Sequence, residues 1–399
     1  MGKVSNAKGQ IEAEDGKRKM KLLHLFSNWR WTGPAEPVTN LVSALHRAGW
    51  DVTFSFGQQR RAVKNGIVQN AQERGLPIRS GLLLQKHSNL LCDYSDSRRL
   101  RKWLRNDHFN IVHAHLRNAH VIAALSIRPI AEKPLIVRTC YAGDGPAGLR
   151  EAVLLRRYTD GLIVVSDRAR RTVIDKVGFQ ADRIWSVHTP IDMDRFNPDR
   201  GLGDRREEFG IDPDAFVVGI IARIQWRRRF HVFLEAIDRA RHKLPNLRAI
   251  IVGRGTNMKP IALDPIKRMK LNDIIVIPGY QTGDDFVRTI ASMDVNVFLV
   301  PGTDGSCRAV REAMAMVVPI IASQRGMLPE LVGDGERGLI IDDTPENLAN
   351  AITELAHDRE RRIAFGQHAR QFARNHFSLD RQADIVGSIY RELMERSKR

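Results

Sequence analysis

Apolar runs short enough for strands recur at 20–26, 51–56, 110–114, 134–139, 160–165 and 183–188, with helical patterns filling the intervals. Alternation of this kind predicts a parallel sheet wrapped by helices, because a parallel crossover needs a connection of helix length. A second series follows at 216–222, 248–253, 273–277, 294–300, 318–322 and 338–341. The stretch between them, Phe196-Asn-Pro-Asp-Arg-Gly-Leu-Gly-Asp204, is rich in turn residues. The pattern predicts two α/β domains, 20–196 and 205–378, joined by a linker at 197–204, and 399 residues exceed what one core usually holds. In open sheets of this type ligands bind outside the carboxyl ends of the strands, so residues just past each strand are the first candidates for chemistry.

Residues 1–19 are polar and charged, lack the apolar core of a signal peptide, and read as a flexible extension. No run approaches the roughly 20 apolar residues of a membrane span, which predicts a cytoplasmic protein, soluble or peripheral at the inner face of the membrane. Cys92, Cys140 and Cys307 are widely spaced, which argues against a disulfide framework or structural zinc and fits a reducing compartment. Charge separates the halves: residues 1–200 hold 33 Lys+Arg against 19 Asp+Glu, whereas 201–399 hold 30 against 27. A basic first domain suits an anionic partner, and no helix-turn-helix, zinc-finger or RNP-like run points to nucleic acid. Two helical segments are candidates for an anionic bilayer: Ser97 to Asn106, with Leu100, Trp103 and Leu104 on one face, and Leu149 to Arg157. The preferred reading of the first stripe is that it packs on the sheet while its arginines are solvated.

Past the strand at 294–300 lies Asp304-Gly-Ser-Cys-Arg-Ala-Val-Arg-Glu312. Ser306 is the expected N-cap of the helix that carries Glu312, and free N–H groups at that helix start suit a phosphate. One carboxylate in the loop and one along the helix suit a nucleotide-sugar, although an ordinary βα unit with solvent-facing charges has the same pattern. Cys307 lacks a base partner in the local sequence and reads as a small packing residue. Past the strand at 216–222 come Arg223 and, five residues later, Arg228, two cations able to clamp a diphosphate.

On these two motifs the chain resembles the retaining glycosyltransferases of family 4, marked by strand-Gly-Arg-(x)4-Lys-Gly and Glu-(x)7-Glu. Here Ala222 replaces the Gly before Arg, Arg228 the Lys, Arg229 the following Gly and Asp304 the first Glu. The charges survive. Further similarity lies in Phe109-Asn-Ile-Val-His113-Ala-His115, in Val187-His-Thr-Pro-Ile-Asp192-Met-Asp-Arg-Phe196, in Gly253 and Tyr280 at strand ends, and in Leu328-Pro-Glu330 to Gly338. The resemblance implies the GT-B fold, two Rossmann-like doubly wound α/β domains facing a central crevice, with a last segment, 379–399, that crosses back onto the first domain. It also implies roles. Arg223 and Arg228 hold the diphosphate, Asp304 the transferred sugar and Glu312 the ribose; Ser306, Cys307 and Arg308 line the donor site, and Gly253 and Tyr280 wall the base. Gly33, in the first βα turn with Trp29 and Trp31, lets a phosphate approach. His115 is assigned to the active site, where without the resemblance a buried, satisfied histidine is the natural reading.

The expected activity is transfer of a sugar from a nucleotide-sugar to the hydroxyl of an anionic lipid-linked or glycan acceptor, with retention and without a metal, in cell-envelope glycan synthesis such as lipopolysaccharide or glycolipid. Alternatives are a nucleotide-sugar epimerase of the same architecture and a non-catalytic sugar-nucleotide or glycan-binding subunit.

Overall fold

The computed structural model describes residues 20–31, 33–58, 66–128, 130–146, 148–301 and 307–398. The extension expected at 1–19, and the expected site residues Asp304 and Ser306, lie outside them.

The first sheet holds β1 (Lys21–Phe26), β2 (Asp51–Phe56), β3 (Ile111–Ala114), β4 (Leu135–Cys140), β5 (Gly161–Val164) and β6 (Ile184–Ser186), all parallel, in the order β2-β1-β3-β4-β5-β6. The second holds β7 (Phe216–Ile221), β8 (Leu247–Val252), β9 (Ile275–Gly279), β10 (Val295–Phe298), β11 (Ile320–Ser323) and β12 (Gly338–Ile341), also parallel, in the order β12-β11-β10-β7-β8-β9. Each apolar run became a strand. Helices α1 (Ala35–Arg47), α2 (Ile67–Glu73), α3 (Leu90–Asp107), α4 (Arg117–Ile127), α5 (Leu149–Tyr158) and α6 (Asp167–Val177) belong to the first half. Helices α7 (Phe230–Ala240), α8 (Asp264–Arg268), α9 (Gly283–Ala291), α10 (Arg308–Ala315), α11 (Leu328–Val332), α12 (Pro345–His357), α13 (Arg359–His376) and α14 (Leu379–Arg396) follow.

Alternation along β1 divides the first core. Leu22 and Phe26 face α1 and α14, with Val38, Leu45, Val386 and Tyr390, whereas Leu23 and Leu25 face α3 and α4, with Leu100, Leu104 and Ile122. Leu100 and Leu104 are therefore core, and Trp103 packs beside them under the Arg79 guanidinium, 4.1 Å from its ring centre. The stripe of α3 does not face a bilayer.

The crossing between domains lies upstream of the expected linker. Val187 packs in the first core, but Ile191 and Phe196 already pack in the second, so the chain crosses at 188–190 rather than at 197–204. The turn residues that marked 197–204 are instead fastened to the second domain, where Arg370 holds Asn197 at 2.8 Å and Asp199 at 2.7 Å. Phe377 also packs in the second core, and α14 then packs against α1 in the first. The two crossings run together: Ile191 N–H donates to the Phe377 carbonyl at 2.9 Å. No described helix is long and apolar enough to cross a membrane.

Candidate donor site at the two switch points

A doubly wound sheet opens a crevice where adjacent strands send their connections opposite ways. In the second sheet that place lies between β7 and β10, and in the first between β1 and β3. The expected site residues follow these four strands or the neighbours β8 and β9.

Arg223 stands exposed just past β7. A short 3₁₀ turn, Trp226–Arg228, then carries Arg228 back to β10, where its Nη1 donates to the Val300 carbonyl at 2.6 Å. Arg228 thereby joins the two strand ends beside the loop of Asp304. Arg229 explains why a glycine is expected at its position: its φ is +56°, in the left-handed region that costs an L-residue energy. Asp343 fastens it there at 2.6 Å and also pairs with Arg325 at 3.0 Å. A Cβ on Gly253 would meet the Ala222 carbonyl oxygen at 1.9 Å, and one on Gly255 that of Ile224 at 2.0 Å. Both glycines are thus required for the chain after β8 to lie against the turn that holds Arg223. Tyr280 is exposed past β9, and the Arg254 guanidinium stacks 4.4 Å from its ring centre.

Helix α10 begins one residue later than its sequence suggests, with Cys307 rather than Ser306 at the cap. Cys307 is fully buried in the core, so its side chain is not placed to meet a ligand. Glu312 is also buried; burial pushes its carboxyl up while Arg308, whose Nε donates to it at 2.7 Å, pulls it down. The same guanidinium pairs across the crevice with Glu36 of α1. Burial works against the charge of Arg308, but Glu312 and Glu36 more than offset that and hold its pKa raised. Glu312 accordingly faces an arginine rather than open crevice.

In the first sheet, a Cβ on Gly33 would meet nothing within 4 Å, so no described protein atom demands glycine there. Trp31 packs against the core, while the Arg30 guanidinium lies 4.8 Å from the Trp29 ring. His115 is fully buried. Its Nε2 meets His24 Nδ1 at 2.9 Å and its Nδ1 meets the Tyr141 hydroxyl at 3.1 Å. The imidazole therefore does not present itself to a sugar in this structure; the reading that the residues alone favoured, a buried and satisfied histidine, describes it. Next to it His113 bridges Thr139 at 2.7 Å and Tyr390 of α14 at 2.5 Å. Burial lowers the pKa of all three imidazoles, that of His24 to about 3. Their donor atoms lie within 4.8 Å of one another, as metal ligands would, but His113 has both nitrogens engaged by hydroxyls.

Several structural partners carried no sequence signal. Arg311, next to Glu312, is 1% exposed and donates through Nη1 to the carbonyls of Thr189 and Pro190 at the crossing. Glu330 of α11 accepts from the N–H of Asp167 at 3.0 Å, reaching the start of α6 in the other domain. An arginine or glutamate in an amphipathic helix reads as solvated until its neighbour is known.

Residues 203–372 match the family described as Glycosyl transferases group 1, and residues 32–195 match Glycosyltransferase Family 4. The chain belongs to the family 4 glycosyltransferases. It is a GT-B enzyme that draws its sugar from a nucleotide-sugar donor. A relative in Corynebacterium jeikeium (strain K411), D-inositol 3-phosphate glycosyltransferase, is 26% identical over 304 residues, covering 73% of this chain and 69% of its own length. Among solved structures, a glycosyltransferase from Rickettsia africae aligns with TM-score 0.78 at 14% identity, covering 95% of this chain and 99% of that one. Anabaena HepE in complex with UDP aligns with TM-score 0.74 at 18% identity over 92% of this chain and 99% of that one.

Proposed function

We propose that this glycosyltransferase moves a sugar, with retention, from a uridine nucleotide-sugar to a hydroxyl of an anionic acceptor, in the synthesis of a cell-envelope glycan such as a lipopolysaccharide or glycolipid. The observation that carries the reading is the pair Arg223 and Arg228 at the β7–β10 switch point, with Arg228 set by the Val300 carbonyl at 2.6 Å. Two cations there, one of them fixed by that bond, stabilise a diphosphate leaving group as its charge develops. Backbone N–H groups at the start of α10 add to the same field. In this reading Asp304 holds the transferred sugar, Glu312 takes the ribose as Arg308 yields, Gly253 and Tyr280 wall the base, and Gly33 admits phosphate. His115 acts as a positioning residue behind the crevice, not as a contact to the sugar.

The relative that acts on inositol 3-phosphate and the neighbour holding UDP supply the candidate acceptor class and base. The basic first half, with 33 Lys+Arg against 19 Asp+Glu, suits a phosphorylated acceptor at an anionic membrane. The deciding experiment incubates the protein with UDP-sugars, with and without a phosphorylated polyol, and reads the anomeric configuration of the product by NMR. Acceptor-dependent transfer with the donor's anomeric configuration kept, unchanged by EDTA, supports the proposal. An isomerised nucleotide-sugar formed without acceptor indicates an epimerase. Binding without turnover indicates a non-catalytic subunit, and loss of rate in EDTA restored by magnesium means that a metal neutralises the leaving group.

A further inference from the structure

Among the described residues, the large apolar side chains most exposed in the first domain gather at one end of one layer. Leu90 is 86% exposed, Leu91 84% and Tyr94 61%, all in the first two turns of α3, and Leu149 is 78% and Val153 49% exposed in the first two turns of α5. Helix α4 ties the two together at its own first turn. Asn118 donates to Asp93 of α3 at 2.9 Å, and Arg117 pairs with Glu151 of α5. Because α4 starts just past β3, this edge stands at the carboxyl ends of the strands, on the rim of the crevice. Farther along the same helices the exposed positions turn cationic: Arg98, Lys102 and Arg105 on α3, Arg128 after α4, Arg156 and Arg157 on α5. Three of the four acids on these helices point inward, and the fourth, Asp107 at the end of α3, is partly buried and paired with Arg79 at 2.6 Å. Asp93, Asp96 and Glu151 are all buried.

We propose that this α3–α4–α5 face docks on an anionic bilayer, with Leu90, Leu91, Tyr94, Leu149 and Val153 entering the headgroup boundary and the arginine and lysine belt lying over the anionic headgroups. An apolar edge backed by cations is the arrangement that binds such an interface, since insertion and attraction add. Charge complementarity selects this occupant over a protein partner: the belt carries six cations, and the one acid of these helices that is not buried, Asp107, is paired with Arg79. The surface rests on the proposed use of a lipid-linked acceptor, and it would place the crevice rim where such an acceptor enters from the membrane plane.

Flotation tests the surface with the full chain and needs neither donor nor acceptor. Vesicles of phosphatidylcholine alone are compared with an equal mixture of phosphatidylcholine and phosphatidylglycerol. Binding to the mixed vesicles only, released by salt, is expected. The double variants Leu91→Ser/Leu149→Ser and Arg98→Glu/Arg156→Glu should each weaken it on the order of tenfold. Leu263→Ser, an exposed leucine of the second domain, should not. Equal recovery on neutral vesicles, no flotation, or retention by both double variants overturns the proposal, as does binding that short duplex DNA competes away without headgroup preference. Stabilisation of the variants by UDP, measured in the same preparations, shows that the donor domain is intact, so a failure of docking is distinguishable from a failure of the donor reading.

Discussion

The two sheets share parallel strands and double winding, yet their switch points carry opposite chemistry. Between β7 and β10 stand Arg223 and Arg228, the first exposed and the second held by a carbonyl. Between β1 and β3 stand His24, His113 and His115, fully buried, neutral, and wired to Tyr141 and Tyr390. One place offers positive charge to a ligand. The other spends its polar groups on one another and on α14, which makes the corresponding position of the first domain a structural keystone. The strand orders differ as well. The second sheet places three strands on each side of its switch point, whereas the first has two on the β1 side, where the described residues between β2 and α3 pair with the sheet through a single parallel bridge, Phe54 to Ile78. Pro77, with no N–H to donate to Val52, stands at that bridge and ends it on its N-terminal side.

Acid should separate the two sites most. The imidazoles are neutral when folded and have ordinary pKa values when unfolded, so the unfolded chain binds more protons below pH 6.5 and stability falls from there toward the depressed folded values. Burial, helped by Arg311 and His376, likewise lowers His188 at the crossing from 6.5 to about 4, which alone corresponds to roughly 3 kcal/mol lost across that window. Hydrogen exchange between pH 7 and 4 should show β1 and β3 losing protection before β7 and β10, whose arginines keep their charge throughout. Simultaneous loss in both sheets would break the contrast.

The next effect is catalytic. Arg223→Ala should leave the fold unchanged, since the side chain is exposed, and lower kcat/KM by about 2–4 kcal/mol of transition-state stabilisation. Wild-type kinetics in a folded variant would remove the cation from the donor site. A smaller change is expected for Tyr390→Phe, which strips His113 of a buried partner and should cost about 1–3 kcal/mol in denaturant midpoint while sparing affinity for UDP. An equal loss of UDP affinity would mean that the histidine cluster communicates with the donor site. The smallest concerns Glu36→Gln at the rim. Its pair with Arg308 is partly exposed, and removing it should change stability by under about 1 kcal/mol in a thermal melt. A larger drop would show that ion pairs, rather than the packed crossing of Ile191 and Phe377, hold the domains together.

Much of the fold was legible because strands buried on both faces must be continuously apolar. That is true of Phe216–Ile221 and of Gly161–Val164, and it needs no knowledge of neighbours. Arg223 and Arg228 were legible for the same reason, since a residue just past such a strand lies at the mouth of the sheet. The stripe of α3 left two readings open because Leu100 and Leu104 have the spacing of an amphipathic face whether that face meets a sheet or a bilayer, and the preferred one, packing on the sheet, is what the structure has. The linker was misjudged because turn residues report local backbone bending, while the crossing is defined by which core Val187 and Ile191 enter.

Short-range periodicity and residue chemistry along the chain account for the number of strands, their direction, the two-domain plan and the cations past the strands of the second sheet. Packing between distant segments is what closes His115 between His24 and Tyr141, lets Arg308 join Glu312 to Glu36, and leaves the exposed apolar edge on the first turns of α3 and α5. Each depends on a side chain from a segment remote in sequence. Burial and pairing of that kind are properties of what lies opposite a residue, and nothing in the local pattern encodes it.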